Sequence, residues 1–436
     1  MVHEDTLTAA HVAMSSTSRV PPVPAADAPS VLDRPTLTIV IPALNEEESI
    51  GTTIQRCLDA REHICRVGGV KDIEVIVVSD GSTDRTAPIA QEFAARDPRV
   101  GLIIFEKNRG YGAAIKAGFE RGTGELVSFL DADGTCDPNY FANLCRALQA
   151  DRAAVALGSR MQPGNHMPRI RRVGNTLYAL LLGTLSGKAI SDTASGMRVI
   201  RREALKSLYP LPDGLHFTPA MSARAVLSDQ RIVEIPMAYA ERVGESKLRV
   251  MRDGVRFLYA IRDAALLYQP SRMFGLAAAL CVVAGLFWSA FPVEYYLRNQ
   301  RLEEWMIYRL LLCGLLFSSA FTLICAGVLG DRVLSLVYHR AQATFLSTLF
   351  DRLLNRSRLG YLTALGLVAA VILVWPGLTQ YAQTGHVTMH WSRAIVSVFL
   401  LQIAVLSMAY GVLQKIVDLW AAQLAHNGRS NLSRAS

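Results

Sequence analysis

The chain has 436 residues, 51% of them hydrophobic, which is too apolar for one ordinary soluble domain and excludes disorder throughout. Lys and Arg number 45 against 37 Asp and Glu, a formal net charge of +8. Most of that excess flanks apolar segments, and no nucleic-acid reading module accompanies it, so no nucleic-acid partner is expected. The seven cysteines form no CxxC pair and three lie in apolar runs, which argues against a zinc site or disulfide scaffold and suits a reducing compartment.

Residues 1–34 are rich in Ser, Thr, Pro and Ala and lack the apolar core of a secretion signal, so a solvated, disordered leader is expected. Thr38 to Ile41 reads as a strand, followed by Pro42 and an Asn45-led acidic turn suited to cap a helix starting near Glu46. A second unit repeats this order: strand Ile73 to Val78, a turn carrying Asp80, Gly81 and Asp84, and a helix from Ala87 to Ala95. Val100 to Phe105 is a third strand, residues 108–118 open another helix, and Glu125 to Leu130 is a fourth strand ending on Asp131. Such βαβα order predicts an α/β domain with a mostly parallel sheet over residues 35–249, its ligand crevice beyond the carboxyl ends of the strands.

Further along, Arg160 and the cluster Arg169, Arg171 and Arg172 precede an apolar segment running through Leu185. Cations beside a lipid-compatible surface suit a phosphate with a hydrocarbon tail, or anionic lipid in general. In residues 250–272, Val255, Leu258, Tyr259 and Leu266 recur near the helical turn, as in a juxtamembrane amphipathic helix or a core-packed connector. Four uncharged apolar stretches follow in residues 273–436: about 273–291, 310–330, 359–378 and 394–414. Each is near the ~20 residues a membrane-spanning helix needs. Arg-rich segments alternate around them, which by positive-inside counting puts both termini and the α/β domain in the cytoplasm, in the inner membrane of a cell with two. Between the second and third stretches, apolar residues among arginines suit either surface helices or a solvated loop. The spans also offer surface for contact between protomers, so a homo-oligomer is open.

The sharpest chemical signal is LDADG, residues 130–134. Asp131 and Asp133, one residue apart at a strand end, offer hard oxygen ligands for Mg²⁺ or Mn²⁺ bridging a diphosphate. Neither a GxGxxG dinucleotide turn nor a GxxxxGK[ST] phosphate loop is present. Taken with PALNEE (42–47), DGSTD (80–84), NRGYGAAIKAG (108–118), DTASGMRVI (192–200) and ERVGESKLR (241–249), the sequence resembles the inverting family 2 glycosyltransferases of GT-A fold. Within them it is most similar to the dolichyl-phosphate mannose and polyprenyl-phosphate glucose synthases.

That resemblance implies a nucleotide pocket formed by Pro42, Ala43, Asn45, Glu46 and Asp80, supported by Lys116, and a diphosphate and metal region at Asp131, Ala132 and Asp133. Ser79 stands where many relatives carry an acid, so the base is left open with a leaning to uridine. Asp192 and Arg198 correspond to a stretch near the reacting groups, Asp192 acting there directly or by orienting Arg198. Lys247 and Arg249 resemble a segment that closes on phosphate. Acceptor phosphate contacts are then Arg160, Arg169, Arg198, Lys247 and Arg249, with Asp133, Asp192, Arg198 and Lys247 catalytic. The implied reaction is transfer of a single sugar to a polyprenyl phosphate; transfer to a lipid hydroxyl, or a silent accessory role, are the alternatives.

Overall fold

Near-continuous apolar runs form the strands β1 (Leu37–Ala43), β2 (Ile73–Asp80), β3 (Val100–Phe105) and β4 (Leu126–Phe129), the pattern of strands covered on both faces. They pair in parallel, with Leu37 opposite both Ile73 and Leu126 and Val75 opposite Val100. Adding β5 (Val155–Ser159), β6 (Arg198–Arg201) and β7 (Ile232–Pro236) completes a seven-stranded sheet of order β3-β2-β1-β4-β6-β5-β7. Only β6 is antiparallel to its neighbours, pairing Phe129 with Arg198 on one side and Leu157 with Arg198 on the other. The carboxyl ends of β1, β2, β4 and β5 therefore share one edge with the amino end of β6. The expected α/β class with a largely parallel sheet is what the chain adopts. This is a computed structural model, and it describes residues 34–162, 165, 167–239, 250–338, 345–353 and 356–435.

Helices cover both faces of the sheet. The first four are α1 (Ile50–Gly68), α2 (Thr86–Arg96), α3 (Tyr111–Arg121) and α4 (Tyr140–Ala150). They are followed by α5 (Arg169–Ser186), the short α6 (Leu205–Leu208), α7 (Phe217–Leu227) and α8 (Val250–Tyr268). On one face Ile54 and Cys57 of α1 and Leu144 of α4 join Ile39 and Ile41 in the core; on the other, Phe119 of α3 and Phe217 of α7 join Val40 and Phe129. The first helix begins at Ile50, not near Glu46. Asn45 takes a positive φ of 50° and is spent on a tertiary contact described below rather than on a helix cap.

Pro270 ends α8 and opens α9 (Pro270–Asn299), which continues into α10 (Ile307–Tyr338), α11 (Phe345–Leu353), α12 (Arg356–Thr384) and α13 (Trp391–Ala435). Four stretches, Pro270–Asn299, Glu304–Val337, Ser357–Thr384 and Trp391–Leu424, are long and apolar enough to cross a membrane, and the protein is read as an integral membrane protein. Residues from Pro35 onward form one compact unit. At the junction the Tyr268 hydroxyl donates to the Ser207 carbonyl at 2.7 Å and Arg272 Nη1 to the Leu185 carbonyl at 3.1 Å. The sheet domain is thus bonded to the helix that leads into the apolar region.

Close packing of α3 on the sheet depends on Gly118, where an added Cβ would lie 2.3 Å from Val40 Cγ1. Val40 is buried in a strand and stiff at χ1. Gly118→Ala is expected to destabilise the protein by about 1–3 kcal/mol through overpacking, read as a lower apparent melting temperature of the detergent-solubilised chain.

Candidate active site

Two acidic turns at the sheet edge clasp each other. The Asn45 amide donates to Ser82 Oγ at 3.1 Å, and Asn45 Oδ1 accepts the Thr83 amide at 2.8 Å. Glu46 donates its amide to Thr86 Oγ1, and Glu47 Oε2 accepts the Arg85 amide. Next to them Asp80, nearly fully buried, accepts the amides of Arg109 at 2.7 Å and Gly110 at 2.9 Å. This carboxylate ties the end of β2 to the turn that starts α3. Gly81, at φ +72°, lets that turn approach: a Cβ there would meet the Asn108 nitrogen at 2.4 Å.

The DADG turn after β4 is pinned from below by α1, through Thr53 Oγ1 to the Ala132 carbonyl at 3.0 Å and Arg56 Nη1 to the Gly134 carbonyl at 3.3 Å. Asp133 Oδ1 accepts the Thr135 amide and hydroxyl. Asp131 Oδ1 accepts the Tyr111 hydroxyl at 2.7 Å. Burial, and then the Asp131 charge, push the Tyr111 phenol well above its ordinary value, so it remains a proton donor to Asp131. Two carboxylates on one wall are the oxygen donor type that hard divalent cations take. Among the described residues no group of three or more His, Cys, Asp or Glu is assembled that could hold a metal alone, and the donor set fits a cation completed by a diphosphate and water.

Beneath the opposite wall lies a buried ion pair. Asp192 is 0% exposed and accepts the Arg160 amide at 3.0 Å, Arg160 Nε at 2.8 Å and Nη2 at 2.9 Å. Asn175 of α5 adds a bond from Nδ2 to Asp192 Oδ1 at 3.2 Å, while its Oδ1 accepts the Thr193 amide and hydroxyl. Burial works to raise the Asp192 carboxyl, but Arg160 outweighs it and holds the group below the usual carboxylate range. The Arg160 guanidinium also lies over the Tyr239 ring, 5.4 Å from its centroid. Arg198 is 0% exposed, and its nitrogens donate to the carbonyls of Thr193, Ser195 and Thr218 and to Ser222 Oγ. Burial pulls Arg198 down to about 10, against the opposing effect of Asp192. It organises the loop before β6 from behind.

One cleft of about 490 Å³ joins these parts. It is lined by Pro42, Ala43, Glu46, Asp80, Asp131, Ala132, Asp133 and Arg160, all expected from the sequence. Five expected residues stand elsewhere. Asn45 belongs to the clasp; Lys116 bonds the Leu211 carbonyl at 2.9 Å and pairs with Asp213 at 2.5 Å; and Arg169 is exposed on the first turn of α5. Asp192 and Arg198 lie behind the wall, and among the described residues the Arg198 guanidinium donates to the Thr193, Ser195 and Thr218 carbonyls and to Ser222 Oγ, which places it in support of its loop. Lys247 and Arg249 lie outside the described residues. Conversely, Tyr111, Arg171, Tyr178, Tyr239, Arg256 and Phe257 line the cleft without having been assigned to the site from sequence. Arg171 stood within the basic cluster and Tyr111 within NRGYG, but nothing in the spacing of α8 indicated that Arg256 turns toward the cleft.

Residues 38–209 match the family described as glycosyl transferase family 2. The dolichyl-phosphate hexose transferase of Haloferax volcanii is 32% identical over 216 residues, 49% of this chain and 86% of that protein. The chain belongs to glycosyl transferase family 2. The low-salt glycan biosynthesis hexosyltransferase of the same organism is 35% identical over 266 residues, 59% of this family 2 chain and 61% of the relative's length. Among solved structures, glucosyl-3-phosphoglycerate synthase from Mycobacterium tuberculosis, with Mn²⁺, uridine diphosphate and glucosyl-3-phosphoglycerate, is 21% identical with a TM-score of 0.40. It covers 54% of this chain and 80% of that one.

The Arg160–Asp192 pair generates two expectations. Asp192→Ala leaves the guanidinium buried without its counter-charge and is expected to cost about 3–5 kcal/mol, whereas Arg160→Met with Asp192→Leu together costs less than that. Because the folded carboxyl is held low, its stabilisation is present above the ordinary value of about 3.9 and disappears as pH falls through the lower folded value. Thermal unfolding followed from pH 7 downward should show an acid loss below about pH 4 that Asp192→Asn flattens.

Proposed function

We propose that this protein transfers one sugar, from a UDP-linked hexose, to a polyprenyl phosphate at the cytoplasmic membrane face, with inversion at the anomeric carbon. The observation that carries the reading is a single cleft lined both by Asp131 and Asp133 and by Arg160, Arg171 and Arg256. That cleft is bordered by α5 and α8, the helix leading into the apolar stretches. Support comes also from the relatives, named a hexosyltransferase and a dolichyl-phosphate hexose transferase.

In this reading Pro42, Ala43, Glu46 and Asp80 form the nucleotide side, with Asn45 and Lys116 fixing the loops around it. Asp131, Asp133 and the Ala132 backbone receive the diphosphate with Mg²⁺ or Mn²⁺, which when bound offsets charge on the leaving nucleoside diphosphate. Tyr111 keeps Asp131 oriented. Arg160, held rigid by Asp192, and Arg171 and Arg256 fix the acceptor phosphate in line with the anomeric carbon. Lys247 and Arg249 are assigned to the segment that closes over both phosphates, and Arg169 to the lipid headgroups at the mouth. The phosphate oxygen bonds the anomeric carbon as the sugar–diphosphate C–O bond breaks, its electron pair leaving with the nucleoside diphosphate.

A phosphate monoester, with a second pKa of about 6, is already anionic near neutral pH and needs no strong protein base. That favours it over a lipid hydroxyl as acceptor, because Asp192, the base a hydroxyl would require, is fully buried and held low by Arg160. The test is incubation of the detergent-solubilised protein with polyprenyl phosphate, Mg²⁺ or Mn²⁺ and UDP-hexoses, followed by mass analysis of the lipid. A gain of one hexosyl unit is expected, reduced at least ~100-fold in Asp133→Ala. Full transfer by Asp133→Ala, or sugar found only on hydroxylated lipids, would contradict the proposal.

A further inference from the structure

A second cavity, of about 300 Å³, lies between α7 and α8, lined by Pro210, Leu211, Pro212, His216, Ala220, Arg224, Arg256, Tyr259, Ala260 and Asp263. Its polar groups are unusual in what they lack. Arg224 Nη1 and His216 Nδ1 are shielded from solvent and have no hydrogen-bond partner, and among the described residues the Arg224 guanidinium forms no ion pair or hydrogen bond. A buried polar atom left without a partner costs about 1–3 kcal/mol, so two in one small cavity favour an occupant. The acids nearby are already engaged: Asp263 pairs with Arg262 at 2.7 Å, and Asp253 with Arg256 at 3.3 Å. Burial first, and then the Arg256 charge, hold His216 below its ordinary value, as expected where positive charge is in local excess.

The geometry points to an oxyanion site of phosphate type between α7 and α8, with Arg224, His216 and Arg256 as its donors. Guanidinium groups match the fork of phosphate oxygens, and the apolar rim of Pro210, Pro212, Tyr259 and Ala260 accommodates an organic substituent on that phosphate. Arg256 lines both this cavity and the sugar-transfer cleft, so an occupant here competes for a guanidinium that also faces the cleft. The assignment of this site does not rest on the transfer reaction proposed above, and its test reads binding rather than turnover.

The experiment compares the apparent melting temperature of the full chain in detergent with increasing inorganic phosphate, with phosphatidylglycerol, and with phosphatidylcholine. Wild type is set beside Arg224→Met and His216→Gln. Without added anion, Arg224→Met should melt at or above wild type, because it removes a solvent-shielded Nη1 that has no partner. Either probe should then raise the wild-type temperature, with at least a tenfold higher concentration needed in Arg224→Met and a weaker response in His216→Gln. A response to inorganic phosphate assigns a soluble phosphate; a response to phosphatidylglycerol alone assigns a lipid headgroup. No stabilisation of wild type by any probe, or an equal response in both variants, would overturn the proposal.

Discussion

A carboxylate taken wholly out of water is tolerated only where charge and hydrogen bonds replace the lost solvent, and Asp192 is where this protein meets that demand. Three bonds from Arg160 and one from Asn175 surround it, and its own amide, with that of Ser191, reaches Glu234 on β7. The end of β5, the middle of α5 and β7 are thereby fixed relative to one another. Within the same loop Gly196 passes so close to Asp131 that a Cβ would lie 2.5 Å from its Oδ2. The cationic wall and the acidic wall of the cleft are consequently set by one short stretch of chain.

This arrangement also joins the cleft to the outside of the domain. Asn175 and Arg171 point inward from α5, while Val173, Leu177 and Leu180 on its far side are exposed. On α8, Arg256 and Phe257 line the cleft, whereas Val255, Leu258 and Tyr259 are exposed. Both helices are thus amphipathic in a sense that serves a site at a lipid boundary. On the function proposed above, the phosphate of a lipid acceptor would enter the cleft while its hydrocarbon stays outside.

Much of this was legible in residue order. The apolar runs of β1 to β4, the turn acids after them and the four long uncharged stretches mark the sheet, its ligand edge and the apolar helices, because each obeys a local pattern. What escaped depends on tertiary burial. Arg198 and Arg160 are indistinguishable as letters, yet one spends its nitrogens on the interior and the other faces the cleft. Lys116 looked available for a nucleotide and is instead held by Asp213 and Leu211. Asn45 suited a helix cap, but the turn across from it offered stronger partners in Ser82 and Thr83. The reversal of β6, which carries Arg198 to the site edge, follows from pairing between strands far apart in sequence and has no local signature.

Where the donor and the bilayer sit relative to this cleft decides whether it can act on a membrane-borne acceptor. The most direct measurement is a cryo-electron microscopy structure of the protein in lipid nanodiscs with UDP and Mn²⁺. Diphosphate density against Asp131 and Asp133, with the exposed faces of α5 and α8 at the lipid boundary, is the result expected. Nucleotide bound away from those carboxylates, or α5 and α8 facing bulk water well clear of the membrane, would contradict it.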